Sequence, residues 1–164
     1  MIMFGYATLA DIEYISALLG AHPLRFPAVL YGYELRLQSF ETMPPLVKKV
    51  SSINWKPSEF KSYFAFRNNN PKSKIDGVAW SLTIGQIAIL DDWEFVGLWY
   101  HKIPVQIVDK KGKKYNAITY SLNAPGKRVS QLWVSLHKYP VNKKKMLTLA
   151  KKNNLAARRA RGER

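Results

Sequence analysis

The chain has 164 residues, 47% of them hydrophobic and 13% aromatic, a net charge of +15 and no cysteine. That length suits one domain around one core, and that composition excludes an intrinsically disordered chain. The lack of cysteine excludes disulfides and thiolate-bound metals, and no apolar run approaches the roughly 20 residues of a membrane-spanning helix.

The opening stretch MIMFGYATLADIEY lacks a basic leader and carries acids early, so a signal peptide is not expected and a cytoplasmic setting is. The charge is uneven. Lys143–Arg164 holds nine Lys and Arg residues against one Glu, so about half of the excess sits there. A solvated Lys-rich face is the simpler reading, with weak polyanion contact through Lys143–Arg164 as the alternative.

In chain order, Met1–Tyr6 is a short apolar run before a turn and predicts a buried strand. Thr8 then offers an N-cap for a helix over Leu9–Leu19, where Ile12, Ile15 and Leu19 share a face and Gly20 supplies the stop. A strand, tight loop and helix in this order aim the N–H groups of Ala7, Thr8 and Leu9 outward, as an anion site requires. An ordinary strand-to-helix turn has the same pattern. Phe26–Phe40 predicts a long strand, bent or bulged near Gly32, with Glu34, Arg36 and Gln38 on a solvent face. Glu41–Pro57 contains MPP and WKP and predicts a loop. Phe60–Phe66 predicts another strand, closed by the turn RNNNPKSK.

Ile75–Thr83 is rich in β-branched and aromatic residues and predicts a strand, after which Ile84–Glu94 changes to a helical period. Ile87 and Leu90 precede Glu94 by seven and four positions, so all three fall on one helix face. Glu94 is thus an acid at a helix C-terminus, pointing where the apolar stripe points. Desolvation and the negative end of the helix dipole both favour its neutral form and raise its pKa toward the range useful for proton transfer. An acid in this position also occurs at a core rim or paired with a cation, and the periodicity alone leaves those readings open.

Beyond it, DKKGKK joins Trp99–Asp109 and Lys114–Leu122 as a hairpin, and Asn123–Arg128 predicts a turn. Gln131–His137 reads as a strand or an extended docking segment. Asn142–Asn153 reads as a helix with Met146, Leu149 and Ala150 on one face. Residues 1–154 then form a single domain, and 155–164 a basic tail, read as a frayed helix end or a flexible segment. Periodicity alone gives an α+β, β-rich class.

Two stretches carry a resemblance. Gly77-Val78-Ala79-Trp80, Leu90-Asp91-Asp92-Trp93-Glu94, Tyr100 and Val105 follow one another as in the γ-glutamylcyclotransferase-like superfamily, and Phe4-Gly5-Tyr6-Ala7-Thr8-Leu9 resembles its substrate loop, especially in the glutathione-degrading branch. Val29–Ser39 is a weaker third match, and together they cover about residues 1–122 in the family's order. The resemblance implies a compact mixed or antiparallel β-barrel with short flanking helices. It also implies release of 5-oxoproline and a free amine from a γ-glutamyl amide, without metal or other cofactor. It assigns Glu94 as general base and acid, the loop Tyr6, Ala7, Thr8 and Leu9 to the substrate, and Tyr100 to a hydrogen bond with the glutamyl group. As a bare residue, Tyr100 at a strand start is more often a core aromatic with its hydroxyl at the rim.

Ala7 and Phe95 stand where the family has glycine, so a left-handed backbone at either would be strained. The family's P-S-x-x-Y element is not evident near Pro140-Val141, where Lys143–Lys145 replace the expected tyrosine. His22, His101 and His137 lack metal spacing, and there is no P-loop or dinucleotide fingerprint. Two other functions fit the composition. One is a catalytically degenerate relative that binds a small ligand. The other is a basic nucleic-acid-binding protein with Trp55, Tyr63 and Trp133 as stacking platforms. Nothing in the sequence specifies an oligomeric state.

Overall fold

The computed structural model describes residues 1–139, 142–160 and 162; Pro140-Val141 lies outside the described residues. Five strands close a barrel in the order β1 (Ile2–Gly5), β5 (Lys74–Ser81), β2 (Arg25–Tyr31), β6 (His101–Asp109) and β7 (Lys114–Ser121). Neighbours run antiparallel except at the closure, where β7 lies parallel to β1 with Met3 opposite Ile118. Closure removes the exposed edges an open sheet would leave. A second sheet, β4 (Ser62–Arg67), β3 (Tyr33–Gln38) and β8 (Lys127–Arg128), lies in the order β4-β3-β8. The fold is the α+β barrel with flanking helices that the resemblance implies.

Two glycines allow close backbone approaches, Gly5 that of the following turn to the end of β1 and Gly77 that of β5 to β1. A Cβ at Gly5 would lie 2.2 Å from the Leu9 carbonyl oxygen, and one at Gly77 would lie 2.4 Å from the Gly5 oxygen. Neither backbone oxygen can move aside cheaply, so these positions admit no side chain. Phe4 and Met3, on alternate faces of β1, are both fully buried, each in its own core cluster.

The Phe26–Phe40 stretch is two strands rather than one. The chain turns at Gly32 (φ 78°) and passes from the barrel into the second sheet. The face of β3 expected in solvent is covered, with Glu34 and Gln38 both buried. Glu34 is bonded by Arg36 at 3.0 Å, Asn68 Nδ2 at 3.0 Å and Arg128 at 3.3 Å, while Gln38 accepts from Trp99 Nε1 at 2.9 Å. Their polar ends are thereby satisfied, which makes burial tolerable.

Three helical assignments also differ from expectation. Asp11, not Thr8, caps α1 (Ile12–Leu19), accepting from the N–H groups of Glu13 and Tyr14, and a separate 3-10 turn occupies Ala7–Ala10. The expected loop Glu41–Pro57 contains α2 (Pro45–Ser52), because a proline in the first helical turn costs no hydrogen bond. Gln131–His137 is the helix α4, capped by Ser130, whose hydroxyl accepts from Trp133 N–H.

Helix α3 spans Ile84–Trp93 behind a capping box of Thr83 and Gln86. The last helix, α5, covers Lys143–Ala160 and so runs on through Leu155–Ala160, six of the ten residues expected as a frayed helix end or flexible tail. Ala157 packs those turns against the core while Ala156 borders the cavity, and Ala and Arg favour helix. Lys143 ties α5 to α1 through Asp11 at 3.5 Å and Glu13 at 3.2 Å, and Lys138 reaches Asp11 at 3.0 Å. Among the described residues no helix is long and apolar enough to cross a membrane.

Candidate functional site

The 3-10 turn after β1 and the end of α3 face a common cavity of about 440 Å³. Each is held by local structure. The turn hangs from Trp80, whose buried indole N–H donates to the Leu9 carbonyl at 2.8 Å. Ile87 and Leu90 bury the inner face of α3, and Glu94, the helix C-cap, continues their stripe into the cavity. Tyr6, Ala7, Thr8, Leu9 and Tyr100, the other residues singled out from the sequence, line it too.

Within the turn the N–H groups are not equivalent. Leu9 N–H donates to the Tyr6 carbonyl at 3.0 Å and is spent, whereas Ala7 and Thr8 stand at the start of the turn, where no preceding carbonyl is in reach. Two donors of the turn, not three, are therefore left without a partner among the described residues, and both belong to residues that line the cavity. Ala7 adopts φ 49°, the left-handed region that favours glycine.

The Glu94 carboxylate makes no hydrogen bond or ion pair among the described residues. Its neighbour Asp91, by contrast, bonds Lys102 Nζ at 2.7 Å and Tyr120 Oη at 2.9 Å. Burial among the cavity walls pushes the Glu94 pKa up to about 8, although part of the side chain stays open to the cavity. The dipole of α3 acts in the same direction. Phe95, next in the chain, adopts φ 51°.

Four tyrosines surround this acid. Tyr6, Tyr14, Tyr100 and Tyr120 are held above the ordinary phenol range, first by burial and, among smaller causes, by the Glu94 charge. Three of them have their hydroxyls engaged. Tyr6 donates to the Tyr120 carbonyl at 2.6 Å and accepts from Ala65 N–H at 3.0 Å, which joins the barrel to β4. Tyr100 donates to the Tyr63 carbonyl at 2.7 Å and lies 3.0 Å from Ser62 Oγ. Tyr120 donates to Asp91. Tyr6 and Tyr100 are in this arrangement walls and pins, so the hydrogen bond expected from Tyr100 to a ligand has its proton already committed to Tyr63. Only Tyr14 Oη is buried without a hydrogen bond of ordinary length; the Trp93 side chain, packed edge to face against it, is a weak donor to its oxygen and leaves the Tyr14 hydrogen unplaced.

The opposite wall was not read from the sequence. Met146, Leu149, Asn153 and Ala156 of α5 recur at helical spacing along one cavity face, and α2 with its following turn adds Val50, Ser51, Asn54 and Trp55. The stripe itself is visible in the sequence through Met146 and Leu149, but nothing local says which partner it meets. Trp55 and Tyr63 are buried, at 6% exposure each, and Trp133 stacks on His137 with ring centroids 4.3 Å apart. The three aromatics expected as stacking platforms for nucleic acid are thus absorbed into the cavity wall and the packing of α4.

No protein-family model and no curated protein matches this sequence. Solved structures do. A structure named γ-glutamyl cyclotransferase superposes with a TM-score of 0.61 at 18% identity, over 99% of this chain and 87% of that one. An uncharacterized protein from Homo sapiens gives 0.59 at 19% identity over 99% and 87%. A γ-glutamyl cyclotransferase specific to glutathione from yeast gives 0.51 at 11% identity over 96% of each chain. The arrangement of barrel, turn and flanking helices agrees with the likeness carried by FGYATL and LDDWE, and this chain has the γ-glutamylcyclotransferase-like fold.

Proposed function

We propose that the protein is a γ-glutamylcyclotransferase-like enzyme that releases 5-oxoproline and a free amine from a γ-glutamyl amide. The observation that carries this reading is an unpartnered carboxylate, Glu94, sharing a cavity of about 440 Å³ with the free N–H groups of Ala7 and Thr8. The substrate's own α-amine attacks its γ-carbonyl carbon, so the nucleophile is intramolecular and positioning supplies most of the advantage. Glu94 takes a proton from the α-ammonium as the new C–N bond forms. The carbonyl oxygen, now carrying the negative charge, is held by the N–H groups of Ala7 and Thr8. Collapse breaks the original C–N bond as the protonated Glu94 gives its proton to the leaving nitrogen; the ring nitrogen then sheds its second surplus proton to the freed Glu94 carboxylate, which passes it on, so that 5-oxoproline keeps one amide hydrogen and the amine departs as an ammonium. One acid serves both steps because a pKa near 8 leaves each form accessible around neutrality.

A panel of γ-glutamyl amines, γ-glutamyl amino acids and glutathione, scored for 5-oxoproline, tests the reaction. Product from at least one member, lost in Glu94→Gln, supports it. Binding without turnover across the panel would favour a ligand-binding relative, the reading to which left-handed Ala7 and Phe95 in place of glycine lend weight.

A further inference from the structure

Among the described residues, four side chains bury a nitrogen or oxygen that has no hydrogen-bond partner, and two of these four line the candidate cavity. They are Tyr14 from α1 and Asn153 from α5, 139 positions apart in the chain and brought to one chamber by the packing of the two helices. Buried polar groups are almost always paired in folded proteins, so two orphans in one chamber mark where a ligand supplies the missing partner. Both offer hydrogens: Tyr14 a hydroxyl, Asn153 an amide NH₂. Two ammonium groups without an ion pair among the described residues, Lys61 and Lys152, stand on the same walls, against the carboxylates of Asp92 and Glu94.

We propose that Tyr14 and Asn153 hold a carboxylate of the ligand in the cavity that Glu94 also lines, which makes the C-terminal helix part of the binding site. The group must be an acceptor, since both orphans donate. It is charged, because an anion placed between them also gains from Lys61 and Lys152, while a neutral carbonyl gains little. An ammonium at Glu94 and a carboxylate at Tyr14 and Asn153 together describe the amino-acid end of a zwitterion. The proposal rests on the cyclotransferase reading for the identity of its ligand, a γ-glutamyl compound. Such a ligand offers two sources of the carboxylate: the α-carboxylate of the glutamyl residue, or that of an amino acid leaving as the amine.

The test uses γ-glutamylglycine and its two mono-amides, one at the glutamyl α-carboxylate and one at the glycine carboxylate. Binding is measured by calorimetry on the full chain carrying Glu94→Gln, in which turnover does not consume the probes. One of the two amidations is expected to weaken binding at least about tenfold, the usual scale of a hydrogen bond to a charged group. Adding Tyr14→Phe or Asn153→Leu should abolish most of that discrimination while leaving the melting temperature unchanged or raised, since each removes an unpaired buried group. The sensitive amidation identifies the source of the carboxylate. Equal binding of all three probes, absence of binding, or discrimination that survives both substitutions overturns the proposal. The reaction is judged separately: 5-oxoproline formation by the unmodified chain with discrimination untouched by the substitutions sinks this assignment alone, and carboxylate discrimination without product sinks the reaction alone.

Discussion

Ala7 and Phe95, on two walls of one cavity, both hold left-handed backbone, with φ of 49° and 51°. Each adjoins a residue assigned to chemistry, Thr8 in the turn and Glu94 at the helix end. A side chain in this region costs about 1–2 kcal/mol relative to glycine, and such strain persists only where the surroundings enforce it. Ala7→Gly removes that cost but also loses a buried methyl and adds chain entropy, so stability should change by less than about 1 kcal/mol. Ala7→Val, β-branched at a positive φ, should cost about 2 kcal/mol or more. Urea unfolding of the two variants measures the gap. Equal stabilities would mean that the turn has relaxed away from the left-handed form.

What was legible in the sequence was local. Ile87, Leu90 and Glu94 share a face because helical spacing requires it, whereas Gly5 and Gly77 entered only as members of the motifs that carry the resemblance, and the close backbone approaches they permit appear only in the structure. The misreadings have local causes as well. QLWVSLH has strand-like residues, but its helix begins at the cap Ser130, and within Glu41–Pro57 the pair Pro44-Pro45 opens α2 rather than breaking structure, while Pro57 opens a 3-10 turn. The second half of the site was illegible for a different reason. Nothing near Tyr14 or Asn153 indicates that their helices meet, because that pairing depends on packing across almost the whole chain.

Tyr6 illustrates a site residue whose main work is structural. Its hydroxyl satisfies the Tyr120 carbonyl and the Ala65 N–H, both buried and 55 residues apart. Tyr6→Phe strands two backbone groups and is expected to destabilise the fold by about 3 kcal/mol. Tyr14→Phe, which strands no backbone group and forfeits only a weak contact with Trp93, should cost less than about 1 kcal/mol. Chemical denaturation of the pair checks the contrast. A harmless Tyr6→Phe would show that water replaces the hydroxyl at both partners.

Helix α5 makes the C-terminal segment more than a charged appendage. Ala156 lines the cavity, Ala157 packs against the core, and both fall within the stretch 155–160. A chain ending at Asn154 should melt roughly 2–8 °C lower, corresponding to about 1 kcal/mol, and bind a γ-glutamyl ligand more weakly. Differential scanning calorimetry with and without ligand measures both. An unchanged melting point with unchanged binding would return these turns to the status of a dispensable tail.

The deciding prediction concerns Glu94. Its carboxyl titrates near 4.5 in an unfolded chain and is pushed up to about 8 by burial in the folded one. Between these values the folded state holds a proton that the unfolded state has released. Stability from this group is therefore complete below pH 4.5 and is lost as pH rises toward 8, at up to about 1.4 kcal/mol per pH unit. Glu94→Gln keeps the shape and removes the titration. The variant's advantage over the parent should widen from pH 4.5 to 8 and then level off. Activity has the opposite pH trend, because the base works ionised: parental turnover should climb through an inflection near 8, and the variant should fall by about 10²–10⁴ with no inflection. A structural ion-pair partner behaves otherwise, since its removal costs stability and spares turnover. Full 5-oxoproline formation by a folded Glu94→Gln chain would sink the mechanism, while stability curves that stay parallel from pH 4.5 to 8 would show that the carboxyl is not buried as described.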